Sequence, residues 1–474
     1  MGNRRYFLKI TGLAAGAVLA GGAPVVARAF RGEEFISNRP ALKDRHFVSE
    51  AVEATIQEVK GAIRNPEIAW LFENCYPNTL DTTVRHQMIN GRPDTFVITG
   101  DIDAMWLRDS SAQVWPYLAL ASKDKALKQL LAGVVNRQTA CILIDPYANA
   151  FNDGPGESPW LEDLTDMKPE LHERKWEVDS LCYPIRLAYG YWKVTKDDSV
   201  FTPDWIKAMG LVLQTFREQQ RKNSRGPYRF QRVTSWQTDT VPGGGYGNPI
   251  RPVGLICSIF RPSDDATIYP FLIPSNLFAI TSLRQLAEIF DALGKESAMA
   301  AESRQLADEV EKALYQYAVA ERTGYGKMFA YEVDGYGNQL FMDDANVPSL
   351  LAIPYLTTIN AEDQLYRNTR KFVLSRDNPW FFRGPLAEGV GGPHTLIDKI
   401  WPMSIIMRAH TSIDPNEIKA CLEMLRATHA GTGFMHESFH REDPAQFTRK
   451  WFAWANTLFG ELVVNLHEKN PDLL

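Results

Sequence analysis

The sequence lacks most of the short motifs that mark metal-dependent, nucleotide-binding and serine-nucleophile enzymes. Its 474 residues include only five cysteines and nine histidines. The cysteines have no Cys-x-x-Cys spacing, and His436 and His440 are the only close pair of histidines. There is no EF-hand loop and no Gly-x-Ser-x-Gly elbow, and the glycine run at 241–249 lacks the Lys-Ser/Thr of a phosphate loop. We therefore expect neither a metal ion nor another cofactor, and cysteines that pack as small apolar side chains.

Positive charge is also scarce. The chain has 51 Lys and Arg against 57 Asp and Glu, a formal net charge of −6, which disfavours nucleic acid as a partner. No Ser/Pro-rich or low-complexity linker divides the chain, and no fixed repeat length indicates a solenoid. Because 45% of the residues are hydrophobic, the chain can bury a large core, and we expect one large domain.

Residues 1–29 have the pattern of a twin-arginine signal peptide. Arg4 and Arg5 precede Phe-Leu-Lys, an apolar run follows at 10–26, and Ala-Arg-Ala at 27–29 supplies small residues for cleavage. A membrane anchor is the less favoured alternative, because the run is short and is interrupted by glycines and Pro24. This pattern predicts engagement by the twin-arginine export machinery, no stable membrane anchor, and a mature domain at 30–474 in the periplasm or otherwise outside the cytoplasm of a bacterium.

Helical periodicity recurs along the rest of the chain. Leu127, Leu130, Leu131 and Val134 fall at i, i+3, i+4 and i+7, which places them on one helix face. This stripe and ten others predict eleven helices. The other ten lie at about 45–62, just after Ser110, 180–194, 203–220, 275–293, 297–318, 362–374, 398–411, 415–429 and 450–467.

Strand signals are few and local, at 95–98, 228–233 and 328–333. The fold class predicted is therefore all-α, with a few short strands in the loops. Long connections rich in Gly, Pro and aromatics separate the helices, and loops of such length are usually functional. Helical hairpins in a ring, with a pocket at one mouth, fit this order, and an irregular α-bundle is the alternative.

The segment 99–118 places several ligand-like side chains together. Asp101, Asp103, Arg108 and Asp109 surround Trp106 where an apolar strand meets a helix. Carboxylates and a guanidinium can each bond two vicinal hydroxyls, and an indole face stacks on a pyranose, so the segment suits a neutral sugar. A buried ion pair beside a core Trp is the alternative reading.

Two further segments offer acids for catalysis. Asp264 and Asp265 follow Arg261 on a loop ahead of a helix, and mutual repulsion can raise the pKa of one of them. Glu437 lies beside His436 among aromatics and is a candidate base. Glycoside hydrolysis needs two such carboxyl groups, one to protonate the leaving oxygen and one to activate water or attack the anomeric carbon.

Six segments in the same order resemble glycoside hydrolase family 125, over about residues 45–467. They are Gly-Asp-Ile-Asp-Ala-Met-Trp-Leu-Arg-Asp-Ser (100–110), Glu-Val-Asp-Ser-Leu-Cys-Tyr-Pro (177–184), Phe-Arg-Pro-Ser-Asp-Asp-Ala (260–266), Gly-Pro-His-Thr (392–395), His-Glu-Ser-Phe (436–439) and Trp-Phe-Ala-Trp-Ala-Asn (451–456).

The resemblance implies a toroid of six helical hairpins, (α/α)6, and metal-independent, exo-acting, inverting hydrolysis of α-1,6-linked mannosides. It places the acid in 261–265, with Asp264 preferred over Asp265, and the base at Glu437. The residues that would hold the terminal mannose are Asp101, Arg108, Asp109, His394 and His436, beside Trp106. The expected partner is an α-mannoside oligosaccharide or an N-glycan-derived substrate, and the expected state is a monomer.

Two other functions remain open at this point. Trp-Leu-Arg-Asp also resembles a sugar-binding run of related toroid glycosidases, so an α-glucosidase is one alternative. A non-catalytic periplasmic glycan-binding protein is another, although such a protein needs neither Glu437 nor the pair at 264–265.

Overall fold

The computed structural model describes residues 35–294 and 296–474, so the predicted signal peptide at 1–29 lies outside the described residues. Within these ranges the chain is mostly helical and forms fourteen α-helices. They are α1 (Glu50–Ala62), α2 (Pro66–Cys75), α3 (Asn78–Thr82), α4 (Leu107–Val114), α5 (Lys125–Ile144), α6 (Val178–Thr195), α7 (Pro203–Gln219), α8 (Ile273–Leu293), α9 (Ser297–Tyr317), α10 (Ile353–Leu356), α11 (Gln364–Val373), α12 (Pro402–His410), α13 (Pro415–Thr428) and α14 (Ala453–Lys469). None of the helices in the described ranges is long and apolar enough to span a bilayer.

Fifteen short strands of the described ranges form small antiparallel sheets in the loops. They are β1 (Val84–Ile89), β2 (Arg92–Val97), β3 (Met105–Trp106), β4 (Ala150–Phe151), β5 (Leu171–Glu173), β6 (Phe271–Leu272), β7 (Val319–Arg322), β8 (Gly326–Phe329), β9 (Glu332–Val333), β10 (Gln339–Leu340), β11 (Phe381–Arg383), β12 (Glu388–Val390), β13 (Lys399–Ile400), β14 (Phe439–His440) and β15 (Asp443–Phe447).

All eleven predicted helices are confirmed. In α5, the Asp124 side chain accepts a hydrogen bond from the backbone N–H of Leu127 at 3.0 Å and so caps the helix, while Leu127, Leu131 and Val134 are fully buried. The sequence did not predict α2, although Asn65 caps it and Pro66 occupies its first turn. Five consecutive residues of α2, at 68–72, are buried, so this helix has no apolar stripe for periodicity to reveal.

The predicted strand at 228–233 is wrong. Its burial alternates as in a strand, since Tyr228, Phe230 and Arg232 are buried. Its pairing, however, is limited to an isolated bridge between Gln231 and Leu164 and a hydrogen bond from Phe230 N–H to the carbonyl of Gly245. Because the flanking segments are irregular, no neighbouring strand runs alongside to extend the ladder. The predicted strand at 95–98 corresponds to the end of β2, and 328–333 includes β9 and part of β8.

The five cysteines are buried and free, as predicted. They belong to a core that runs through the helical layers as one large apolar cluster. The second, small cluster consists of Trp106, Ala104 and Ala150, with Ile102 packed against it.

The helices fall into two layers. Helices α4, α6, α8, α12 and α14 are buried on most sides, whereas α5, α7, α9 and α13 bury one face. In the buried layer, α4 contacts α6, α6 contacts α8, α8 contacts α10, and α14 contacts both α12 and α4. The last helix of the chain therefore packs against the first helix of this layer.

Side chains at the N-terminal ends of α4, α6, α8 and α14, or in the loops just before them, contact one another. Arg108 in the first turn of α4 meets Glu177, which precedes α6, and Asp264, in the loop before α8. Arg449, before α14, bonds the carbonyl of Thr99 in the segment leading to α4. The N-terminal ends of these buried helices thus lie together at one end of the molecule, where the long loops build a site.

Candidate active site

The Arg108 guanidinium is surrounded by four carboxyl groups. Its Nη1 lies 2.5 Å from Glu177 Oε2 and 3.3 Å from Asp179 Oδ2, and its Nη2 lies 3.3 Å from Asp264 Oδ1. Its Nε lies 3.5 Å from Asp109 Oδ2. All five side chains are buried or nearly so, so this cluster concentrates negative charge around a single cation in a medium of low dielectric.

Asp264 is held on several sides but stays open to solvent on one. Asn149 donates a hydrogen bond to its Oδ1 at 3.2 Å, and Lys175 Nζ donates to its backbone carbonyl at 2.8 Å. Its φ of 64° lies in the left-handed region, which turns the side chain out of the path of the extended loop. Burial raises the pKa of Asp264, but the attraction of Arg108 and Lys175 outweighs burial and lowers the pKa to about 2.

Asp264 and Asp265 point into different surroundings. The side chain of Asp264 is 20% exposed, whereas Asp265 is fully buried. Ser263 Oγ donates to Asp265 Oδ2 at 2.9 Å, and His394 Nδ1 lies 3.6 Å from the same oxygen. The sequence did not decide which of these two neighbours is the general acid. In the structure, only the Asp264 side chain of the two is exposed to solvent.

Glu437 lies in a separate part of the site. Thr448 donates a hydrogen bond to its Oε2 at 2.8 Å, and Arg449 Nη1 lies 3.6 Å from its Oε1. Arg449 also pairs with Asp101 and donates to the carbonyl of Thr99 at 3.1 Å. Glu437 therefore lies beside a hydroxyl donor and a guanidinium that it shares with Asp101.

A chain of polar contacts joins the two acidic sites. Asp109 lies against Arg108 on the Asp264 side and accepts a hydrogen bond from Thr99 Oγ1 at 2.6 Å. The carbonyl of the same Thr99 accepts from Arg449 on the Glu437 side. The segment 99–109, singled out from the sequence, thus forms the bridge between the two candidate catalytic carboxyls.

His436 is buried beneath the site. Its Nδ1 lies 2.8 Å from the carbonyl of Lys450 and 3.2 Å from that of Arg449, and its ring stacks on Phe447 with centroids 4.1 Å apart. Burial lowers the pKa of His436 to about 4, so the ring is neutral near pH 7. In this position the ring supports the segment that carries Arg449.

Residues 436–440 have the spacing His-Glu-x-x-His, which binds zinc when it lies on a helix. Here the segment is extended and ends in β14, so His436 and His440 are not brought to one helix face. Across the described ranges, no group of three or more His, Cys, Asp or Glu side chains is arranged to hold a metal ion.

Trp106 is also buried, contrary to a role as an open stacking platform. It lies in β3 and pairs with Ala150 of β4, and its ring meets the His172 ring edge-on with centroids 5.3 Å apart. The more accessible side chains among the predicted ligands are Asp101, 42% exposed, and His394, 21% exposed. Arg108 and Asp109 lie below Asp264 and are buried.

Sequence reasoning underestimated several residues of the site. Asn149, Glu177 and Arg449 were not among the predicted site residues, although Glu177 begins one of the six segments that carry the family resemblance. Lys175 was missed. The signal in the sequence is a lysine directly before Trp176. Lys175 is buried in the structure, and a buried lysine requires charged partners. Its Nζ lies 2.7 Å from Asp239 and 3.2 Å from Glu173.

Replacing Arg108 with methionine is expected to destabilise the protein by about 3–5 kcal/mol, because the buried carboxyls around it lose their shared cation. Urea unfolding followed by circular dichroism measures the loss. Arg304→Met is the control, since Arg304 pairs with Asp291 on the exposed surface, and it is expected to cost at most about 1 kcal/mol. Equal stability of the two variants would contradict the structural role given to Arg108.

Comparison with known proteins identifies relatives over most of the chain. The model of a family described as metal-independent alpha-mannosidase, glycoside hydrolase family 125, matches residues 65–464. A solved structure from Streptococcus pneumoniae is similar, with 43% identity and a TM-score of 0.86 over 90% of this chain and 100% of that one. That protein is described as a metal-independent alpha mannosidase in a non-productive complex with alpha-1,6-mannobiose.

A bacterial glucoamylase in complex with acarbose shares the fold alone, at 12% identity and a TM-score of 0.50, over 87% of this chain and 57% of that one. The Meiotically up-regulated gene 157 protein of Schizosaccharomyces pombe is 42% identical over 457 residues, covering 92% of this chain and 89% of the yeast protein. This eukaryotic relative contradicts the location in a bacterial periplasm predicted above, and that prediction is wrong.

The family match spans far more than half of the chain, and the pneumococcal relative aligns along its whole length. The resemblance noted in the six sequence segments is therefore confirmed. This chain therefore belongs to glycoside hydrolase family 125, the metal-independent α-mannosidases, and is a glycoside hydrolase.

Proposed function

We propose that the protein is an exo-acting, inverting hydrolase that removes terminal, non-reducing α-1,6-linked mannose. The observation that carries the proposal is the placement of the two candidate carboxyls. Asp264 and Glu437 lie at the two ends of the polar chain through Arg108, Asp109, Thr99 and Arg449, and both keep contact with solvent.

Asp264 is proposed as the general acid and Glu437 as the general base. Asp264 is the better candidate of the adjacent pair, because its side chain is 20% exposed whereas Asp265 is fully buried beside Ser263 and His394. Glu437 is the proposed base because it lies beside Arg449, apart from Asp264, and its side chain keeps 11% exposure, so that a water can reach it.

Inversion is supported by the way the two carboxyls are held. The two groups contact different arginines, because Asp264 lies in the cluster around Arg108 and Glu437 lies beside Arg449, which also pairs with Asp101. In an inverting enzyme the carboxyls lie roughly 6.5–9.5 Å apart, which leaves room for a water on the face opposite the leaving group. Glu437 would take a proton from this water while Asp264 protonates the glycosidic oxygen.

The hydroxyls of the terminal mannose are proposed to contact Asp101 and His394, the more exposed of the predicted ligands. Arg108, Asp109 and His436 are proposed to position the catalytic carboxyls from below. The choice of an α-1,6-linked mannoside follows the ligand of the pneumococcal relative, and α-mannosides derived from N-glycans are the substrate class that we propose.

The arrangement of the helices supports an (α/α)6 toroid. We propose that α4, α6, α8, α12 and α14, which are buried on most sides, form the inner ring of six helices together with the short α10. Contact of α14 with α4 joins the two ends of this layer, as ring closure requires. We propose that the loops at the N-terminal ends of these helices form the mouth of the ring.

The first test is a proton NMR time course with α-1,6-mannobiose in the presence of a chelator. We expect β-mannose to appear before mutarotation, at a rate that the chelator leaves unchanged. Early α-mannose would contradict inversion, and loss of activity with chelator would contradict metal independence. Cleavage of α-glucosides in place of mannobiose would favour the α-glucosidase alternative, and binding without any cleavage would favour a glycan-binding protein.

A further inference from the structure

The acid proposed for this enzyme has a protonation problem. Contact with Arg108 and attraction by Lys175 hold Asp264 in its ionised form near neutral pH. A general acid must carry a proton when the glycosidic bond breaks. Asp264 alone therefore lacks the proton that its proposed task requires, and the proton has to be held nearby.

Charge balance around Arg108 indicates that a proton is present. Four carboxyls surround this one guanidinium, and the neighbouring cation, Lys175, is already paired with Glu173 and Asp239. Full ionisation would leave several uncompensated negative charges in a buried cluster, at a high cost in desolvation. Closely spaced buried carboxyls avoid this cost by retaining a proton between them.

Glu177 is the carboxyl best placed to hold that proton. It is fully buried, and its Oε2 accepts hydrogen bonds from Arg108 at 2.5 Å and from Ser180 at 2.7 Å. Its Oε1 is also buried but receives no hydrogen bond from the described residues. A buried carboxylate oxygen without a hydrogen-bond donor is costly, whereas a protonated Oε1 becomes a donor itself. Asp264, which contacts the same Arg108 guanidinium, is the neighbouring carboxyl that could accept from it.

We propose that Glu177 is a positioning residue that stores, as a carboxylic acid on Oε1, the proton that Asp264 passes to the leaving oxygen. The inference rests on the proposed function, in which Asp264 is the acid. Burial and the nearby charges of Asp264 and Asp179 raise the pKa of Glu177 well above its usual range, against the opposing attraction of Arg108. This direction agrees with the geometry.

The proton transfers balance over one turnover. As the bond from the anomeric carbon to the glycosidic oxygen breaks, that oxygen takes a proton from Asp264, which receives one from Glu177 Oε1. The new Glu177 carboxylate is stabilised by Arg108. The attacking water gives one proton to Glu437 and keeps the other in the hydroxyl of the released mannose. Glu437 then loses its proton to solvent, and the Glu177–Asp264 pair takes one up.

The pH dependence of this pair is set by the charged groups that face it. These groups are Arg108 and Asp109 from α4, Asp179 from α6, His172 and Glu173 from β5, Lys175 just after β5, and His394 from the loop at 393–395. The pair must hold its proton for catalysis, so activity is retained below the pKa of the pair and lost as the pH rises through it.

Glu177→Gln is the central test. The glutamine amide has nearly the shape of the Glu177 carboxyl and can donate a hydrogen bond to Asp264. It has no acidic proton to transfer, so the shared proton of the Glu177–Asp264 pair is lost. We expect the alkaline limb of kcat/KM for α-1,6-mannobiose to move at least one unit toward lower pH, with about 10²-fold slower turnover at pH 7. Hydrolysis of α-mannosyl fluoride, whose leaving group needs no proton, is expected to stay near the wild-type rate.

Glu417→Gln is the matched control. Glu417 pairs with Arg370 and Arg408 in a different part of the fold, so its loss removes a half-buried carboxylate between two arginines. We expect this variant to keep the wild-type pH profile. An E177Q alkaline limb in the wild-type position, or equal losses on mannobiose and on the fluoride, would overturn the inference while leaving the proposed function intact. A wild-type protein that cleaves neither substrate would overturn both.

A second measurement uses the wild-type protein and so does not depend on folding of the variant. Glutamate labelled with ¹³C at the side-chain carboxyl is introduced, and the carboxyl signals are followed by NMR from pH 4 to 8. We expect one glutamate signal to keep the chemical shift of a protonated carboxyl through pH 7. Ionisation of all glutamates by pH 6 would overturn the inference, whatever the behaviour of E177Q.

Discussion

Replacing Glu437 with glutamine is expected to slow hydrolysis of α-1,6-mannobiose by about 10²- to 10⁴-fold, the usual contribution of a general base. The amide has nearly the shape of the carboxylate and can keep one hydrogen bond with Thr448, so the site should remain intact. It cannot accept a proton from water, and this loss affects the transition state but not the bound substrate. We therefore expect kcat to fall while the Kd for mannobiose stays within a few-fold of the wild-type value.

Mannose release measures kcat, and isothermal titration calorimetry measures Kd. Glu442→Gln is the matched control, because Glu442 lies five residues further along the same segment, is exposed, and pairs only with Arg441 among the ion pairs described. We expect wild-type turnover for E442Q. Retained turnover in E437Q, or equal losses in both variants, would show that Glu437 is not the base.

Replacing Asp264 with asparagine is expected to lower kcat for mannobiose by about 10²- to 10⁴-fold, because the leaving oxygen departs without a proton. The loss should depend on the leaving group. With α-mannosyl fluoride, whose leaving group needs no general acid, D264N is expected to keep most of the wild-type rate. The measured quantity is the ratio of the two losses, so that a general defect of folding or binding, which slows both substrates, is recognised.

The adjacent variant Asp265→Asn is the internal comparison for D264N. Asp265 is fully buried against Ser263 and His394, so its loss is expected to disturb the loop and slow both substrates to a similar, smaller extent. A leaving-group-dependent loss in D265N, absent in D264N, would assign the acid to Asp265 and contradict the proposal.

A double variant tests whether Glu177 and Asp264 act as a unit. In D264N the proton held by Glu177 has no route to the glycosidic oxygen, so E177Q added to D264N is expected to cause little further loss on mannobiose. Residues that act as a unit are non-additive in this way. Additive losses would indicate that Glu177 acts independently of Asp264.

The helices could be predicted from the sequence wherever a helix has one apolar face. The stripe of Leu127, Leu131 and Val134 contrasts with polar neighbours, and the structure confirms α5 there. For α2 this contrast is missing, since 68–72 are buried without interruption. Periodicity reports the boundary between core and solvent, which the run at 68–72 does not cross.

The candidate site could be predicted in its parts. The segments with Arg108, with Asp264 and Asp265, and with Glu437 were recognised from residue types, because acids and an arginine set among aromatics suit sugar chemistry. Which of two adjacent aspartates faces solvent was not accessible from the pattern. It depends on the left-handed φ of Asp264 and on the enclosure of Asp265, which is fully buried.

The burial of two predicted sugar contacts is a property of the tertiary structure. Trp106 and His436 were predicted as sugar contacts, yet both are buried, because β3 pairs with β4 at Trp106 and the ring of His436 stacks on Phe447. Short-range patterns show that a side chain is aromatic or titratable. They do not show how many neighbours cover it.

The sequence by itself determined the helical class, eleven of the helices, the buried free cysteines and the segments that carry the chemistry, because these follow from local residue patterns. Only the tertiary structure decided that Arg108 meets Glu177 and Asp264, which lie 69 and 156 residues further along the chain. It also decided the protonation of these acids, since a pKa depends on desolvation and on charges brought close by packing. Both are properties of the folded chain, produced by contacts between residues that are distant in sequence.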